Sequence, residues 1–273
     1  MANQKQVHST SGIALIRKLD PIFTSEQAKE LAPTVGISLD YLNQALHHLE
    51  RAGWIVRLKK GLYSLSSILP GVSPLHEFQI AMALVRPAAI SHWSALNYHG
   101  MTEQTPKQVF VLTTAQSLPR TRGIKATPNK RGYHVSHSTF QFIKIKSAHF
   151  FGIEEVWINE SKVKITDKER TFLDCLMFPE YCGGFYEILY AFEQHSAQLN
   201  IEKIIQYARK LDAATIKRLG WILEQQGIPS LKLKPLQETP IKGYRLLDPS
   251  GPHKGVCNAR WMIQENLPGR KKS

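Results

Sequence analysis

The chain has 273 residues, 42% of them hydrophobic, and carries 35 Lys and Arg against 22 Asp and Glu, a net charge of +13. That length and apolar content describe a folded protein with room for two domains. Its apolar runs are too short for a transmembrane helix, and the first twelve residues lack the apolar core of a secretory signal. Three separated cysteines without a CxxC pair argue against a disulfide framework or a structural zinc, and point to a reducing cytoplasm. A field this positive attracts polyanions, nucleic acid foremost.

Gly12 to Leu19 reads as a first helix, with Leu15, Ile16 and Leu19 at helical spacing. Thr24-Ser25-Glu26-Gln27 is a capping-box pattern that opens a second helix, which Pro33 and Gly36 end. Ser38 is placed to cap a third helix over 39–52, with Ile37 and Leu42 as a hydrophobic staple. Leu39, Leu42, Leu46 and Leu49 predict its core face, and Gly53 its left-handed close. Residues 54–58 and 62–65 read as strands of a hairpin that turns at Lys59-Lys60-Gly61. Two helices joined by a Gly-bearing turn, followed by a hairpin with a cationic tip, predict a winged helix-turn-helix over residues 1–70.

In such a module the third helix enters the major groove of double-stranded DNA. The candidate contacts are Ser38, Tyr41, Asn43, Gln44, His47, Arg51, Arg57, Lys59, Lys60 and Tyr63. Asn43 and Gln44 carry the amide geometry that reads adenine. Arg51, Arg57, Lys59 and Lys60 are suited to phosphates, which position a protein without specifying sequence.

Residues 66–75, with two Pro and one Gly, read as a linker. Beyond it the pattern predicts helices over 76–85 and 91–99, a strand at Val109–Thr113, and a loop over 115–132. Strands at 133–137, 140–146, 152–158 and 162–166 come next. Helices over 168–177, 185–196, 201–211 and 214–226 follow, then short strands at 231–233, 244–247 and 260–263. Strands followed by helices give an α+β fold: the winged helix-turn-helix, then a mixed α/β C-terminal domain over 75–273. No Asp or Glu falls between Glu103 and Glu154. Arg120, Arg122, Lys125, Lys130 and Arg131 crowd one loop there, and their fields add to a second basic surface for a polyanion.

The wing sequence Arg57-Leu58-Lys59-Lys60-Gly61-Leu62-Tyr63 resembles that of the AbiEi family of abortive-infection antitoxins. Three further blocks are similar to the same family in the same order. They are Ile90-Ser91-His92-Trp93-Ser94-Ala95-Leu96 with His99-Gly100, Val109-Phe110-Val111-Leu112-Thr113, and Asp167-Lys168-Glu169-Arg170-Thr171-Phe172-Leu173-Asp174 with Gly183-Gly184. The resemblance spans about residues 10–190. It implies a transcriptional autorepressor that binds inverted repeats in its own promoter, and a C-terminal domain that counteracts a nucleotidyltransferase toxin encoded beside it.

Catalytic signatures are absent: there is no P-loop, GxGxxG, HExxH or GxSxG, and no cofactor or metal is expected. His134 and His137, three apart on a predicted strand, should point to opposite faces. Glu160-Ser161-Lys162, with Glu154 and Glu155 before it, fits the ExK pattern of a metal-dependent nuclease as well as a charged turn. Arg170 and Asp174, one helical turn apart, are expected to pair as structural anchors, and His92 and Trp93 to lie in the core. Two alternatives to the antitoxin therefore stand: a DNA nuclease targeted by a winged helix, and a plain transcription factor that responds to a ligand or partner. The oligomeric state is open.

Overall fold

A computed structural model of the chain describes residues 11–119, 132–135 and 137–267. Residues 11–16 form α1, shorter than the expected helix to Leu19; Leu15 and Ile16 turn inward from it, and Leu19 is buried in the turn that follows. Strand β1 (Ile22–Thr24) leads into α2 (Ser25–Leu31) through the capping box read in the sequence. The Gln27 amide donates to Thr24 Oγ1 at 3.2 Å, and the Thr24 amide donates to Gln27 Oε1 at 2.8 Å. A 3-10 turn over Ala32–Val35 and a left-handed Gly36 then redirect the chain into α3 (Leu39–Arg51). Strands β2 (Ile55–Lys59) and β3 (Leu62–Leu65) pair antiparallel, and β1 pairs antiparallel with β3, giving the order β1-β3-β2. Gly61 turns this hairpin at φ 74°, which a residue with a Cβ rarely adopts. Leu15, Phe23, Ala28, Ile37, Leu42, Leu46, Leu49 and Ile55 fill the space between these elements as one apolar core.

Helix α4 (Glu77–Leu84) follows, then β4 (Ala88–Ile90), α5 (His92–Tyr98), β5 (Val109–Thr113), β6 (Tyr133–Val135), β7 (Ser138–Lys144), β8 (Ile153–Ile158) and β9 (Ser161–Thr166). Strands β4 to β9 form one sheet in the order β6-β7-β5-β4-β9-β8, with β4–β9 and β5–β7 parallel and the other pairs antiparallel. Strand β5 is buried throughout, as a continuous apolar run should be. Val109 and Val111 face one core, with α4, while Phe110 and Leu112 face another, with Trp93. Helices α6 (Lys168–Met177), α7 (Phe185–His195), α8 (Ile201–Ala208), α9 (Ala213–Gln225) and α10 (Ser230–Gln237) surround the largest core. The small sheet of β10 (Arg245–Leu246), β11 (Val256–Asn258) and β12 (Ile263–Glu265), in the order β10-β12-β11, closes it.

Several expectations change. Leu39 is 48% exposed, while Leu42, Ala45, Leu46 and Leu49 form the inner face of α3, because position 39 lies beyond the edge of that stripe. Ser38 has the extended backbone of an N-cap but makes no side-chain cap bond. Residues 231–233 are helical, inside α10, where Leu233 and Leu236 are both buried. The buried Lys217 ammonium donates to the Leu236 and Gln237 carbonyls at 3.2 and 2.6 Å, satisfying acceptors that the end of a helix leaves open. Strand β6 ends at Val135, so His137 is off it.

The two parts of the chain share a core. Leu58 and Leu62, from the hairpin, pack with Phe78, Leu84, Val109 and Phe140. The Tyr133 hydroxyl donates to the Leu58 carbonyl at 2.5 Å, and the Lys59 ammonium to the Leu84 carbonyl at 2.7 Å. Residues 66–75 therefore join segments that are already in contact.

Candidate nucleic-acid interface

The amphipathic spacing of α3 separates its residues physically. With Leu42, Ala45, Leu46 and Leu49 held inside, Asn43, Gln44, His47, His48 and Arg51 are exposed along the outer face. Tyr41 is half-buried beside the core and Ser38 is exposed where the helix begins. Asp40 stands in the first turn, where a carboxylate complements the helix dipole. The outer face thus groups two amides, two imidazoles and one guanidinium, which can hydrogen-bond base edges and phosphates.

The hairpin divides the remaining candidates. Lys60 is exposed at the turn and Arg57 is half-buried on β2, its guanidinium 6.0 Å from the Tyr63 ring centroid. Lys59 faces the other way. Burial, and then the charge of Arg86, pull its pKa below the usual value for lysine, and its ammonium is committed to the Leu84 carbonyl. Tyr63 is only 8% exposed and stacks on Phe23 at 5.6 Å, so its ring belongs to the packing of β3 against β1. Of the ten candidates, Asn43, Gln44, His47, Arg51 and Lys60 share exposed positions on α3 and the turn; Lys59 and Tyr63 hold the hairpin in place. Sequence reasoning missed Tyr133 as the anchor of the hairpin, because a partner 75 residues away leaves no local signal.

Arg120, Arg122, Lys125, Lys130 and Arg131 lie outside the described residues. From the same acid-free stretch, Lys107, Lys144 and Lys146 are exposed. Lys162 of the ExK pattern pairs with Glu155 across the β8–β9 hairpin at 3.7 Å and lies 5.5 Å from the Trp157 ring centroid. Among the described residues there is no group of three or more His, Cys, Asp or Glu that could hold a metal, and no helix is long and apolar enough to cross a membrane. Arg170 and Asp174 form the expected ion pair, buried on α6 with Nη2 and Oδ1 2.8 Å apart.

The chain is thus a mixed α/β protein with several sheets, whose N-terminal part packs helices against a three-stranded sheet that ends in a cationic hairpin. Residues 13–66 match the model of a family described as "Transcriptional regulator, AbiEi antitoxin", which bears out the resemblance over that segment. The fold is also that of the crystal structure of the RV2827C protein from Mycobacterium tuberculosis, with a TM-score of 0.67 over 94% of this chain and 90% of the other at 14% identity. No curated protein matches the chain.

Proposed function

We propose that this protein is a DNA-binding transcriptional regulator and antitoxin that represses its own operon. Residues 1–70 act as a winged helix-turn-helix on inverted repeats in the promoter, and residues 75–273 counteract a nucleotidyltransferase toxin. The observation that carries this reading is the coincidence of the family match with the exposed polar face of α3 and the basic turn beside it. Asn43 and Gln44 read base edges, and Lys60, Arg57 and Arg51 neutralise backbone phosphates. The C-terminal role rests on the similarity of the blocks around His92, Val109 and Arg170, with the Arg170–Asp174 pair as a structural anchor.

The test has two arms. Fluorescence anisotropy with DNA from upstream of the protein's own gene should give saturable binding that outcompetes scrambled DNA of equal length. Co-expression with the neighbouring reading frame in a growth assay should restore growth. Equal affinity for scrambled DNA would refute specific repression, and growth arrest despite soluble protein would refute the antitoxin role.

A further inference from the structure

Strand β8 forms one edge of the six-stranded sheet, and it is longer than β6 at the other edge. Val156 and Ile158 turn toward the core shared with α4, so Glu155 and Trp157 stand on the opposite face of the sheet. Trp157 is 65% exposed there, more than any other Trp, Tyr or Phe among the described residues. Lys162, its cross-strand neighbour on β9, lies 5.5 Å from its ring centroid, and Lys164 stands opposite Glu155.

The backbone shows which way this edge is open. Asn159 and Glu160 form a two-residue turn, so Ile158 and Ser161 are a hydrogen-bonded pair. Such pairs alternate along an antiparallel ladder. Val156 and Glu154 therefore also bond to β9, while the amides and carbonyls of Ile153, Glu155 and Trp157 point away from it. Among the described residues, no backbone group outside β9 bonds to residues 153–158. A side-chain bond from Gln79 to the Ile158 carbonyl, at 3.3 Å, falls on a residue that faces β9 and leaves the outer edge open.

We propose that β8 pairs antiparallel with β8 of a second copy of this chain, about a two-fold axis at Val156. Outward-facing residues must meet outward-facing residues, so the longest ladders have their axis at Glu155 or at Val156. An axis at Glu155 sets two carboxylates directly opposite each other, which is destabilising. An axis at Val156 sets Glu155 opposite Trp157 of the second copy. The row across the seam then reads Lys164 and Glu155 of one copy, then Trp157 and Lys162 of the other. Each Glu155 lies between its own Lys164 and the other copy's Lys162, and the two Trp157 rings are diagonal neighbours. A strand carrying charge of one sign would meet both signs in this row, whereas a second copy brings each charge its opposite. The two-fold closes the interface, so assembly stops at the dimer. A ladder over residues 154–158 buries less than the roughly 1,200 Å² of stable complexes, so the dimer dissociates on dilution. Its symmetry is the one that inverted repeats call for, and in that purpose the inference rests on the proposed function.

Sedimentation velocity of the full-length protein without DNA, from about 5 to 500 µM, should show a monomer converting to a dimer. Trp157→Glu sets two carboxylates opposite each other at both Glu155 positions while keeping its own Lys162 beside it, and should raise the dissociation constant at least tenfold. Cysteine pairing with oxidised glutathione reads the register, in a Cys257→Ser background because Cys175 and Cys182 are buried. Val156→Cys should cross-link two copies, since partners in a non-hydrogen-bonded pair lie about 4.5 Å apart at Cα. Glu154→Cys, at a more exposed position but opposite Ile158 of the second copy, should not. A monomer at every concentration, a dimer that Trp157→Glu leaves unchanged, assemblies larger than two, or cross-linking through Glu154→Cys as fast as through Val156→Cys would overturn the proposal. Because no DNA is present, each of those results leaves the proposed function to its own test.

Discussion

Replacing Lys60 and Lys59 with Ala, one at a time, separates two neighbouring cations that the fold treats differently. Lys60 is exposed at the hairpin turn, where one phosphate contact would add about 0.9 to the slope of log affinity against log salt. Between about 50 and 200 mM salt, the wild type should then lose about 3.5-fold more affinity than Lys60→Ala, for operator and scrambled DNA alike, with an unchanged melting temperature. Lys59 instead donates to the Leu84 carbonyl at 2.7 Å from a half-buried position. Its removal leaves that acceptor unpaired and should cost about 1 kcal/mol after allowance for solvent screening, or about 2–4 °C in melting temperature. The salt slope should not change. Anisotropy at several salt concentrations, together with thermal unfolding, reads both effects. A slope flattened by Lys59→Ala at constant melting temperature would refute the assignment of Lys59 to the hairpin anchor.

Asn43→Ala and Gln44→Ala should each cost about 1–3 kcal/mol on operator DNA and little on scrambled DNA, read by competition binding. Leu58→Ala should cost about 2–5 kcal/mol. Calorimetry should still show a single transition, because Leu58 packs with Phe78, Leu84 and Val109; two separated transitions would contradict a shared core. Burial would raise the Glu169 carboxyl, but Lys203 at 2.8 Å and the Asn200 amide outweigh it and hold its pKa below the ordinary value. Its stabilisation is therefore complete above the unfolded pKa of about 4.3 and is lost as pH falls through the lower folded value. Glu169→Gln should be less stable than the wild type at neutral pH, and the gap should narrow under acid denaturation. Gly220→Ala should destabilise strongly in denaturant titrations, because an added methyl would overlap the fully buried Trp261 ring.

Local chemistry makes much of this fold legible. The Thr24 capping box, the glycines at 53, 61 and 100, the strand Val109–Thr113 and the helix Lys168–Met177 all follow from short-range patterns, and all are present. Strands β1 and β4 escaped notice because three residues carry no periodicity; Ala88–Ile90 becomes a strand only between β5 and β9. The strand expected at residues 231–233 is part of α10 instead. What makes it a helix is Leu233 and Leu236 facing one core and Lys217 supplying protons to its last carbonyls.

The candidate interface divides along the same line. Heptad-like spacing in α3 was enough to put Asn43, Gln44, His47 and Arg51 outside, since a helix fixes which side chains share a face. The hairpin gave no such guide: Lys59 and Lys60 are identical in type and adjacent in sequence. Their separation came from the Leu84 carbonyl, 25 residues away, which holds Lys59 at the end of β2 while Lys60 stays exposed in the turn. Composition and local spacing determined the helices, turns and positive charge of this protein. Long-range packing alone decided which cations remain exposed, because only the folded core supplies the partners that bury the others.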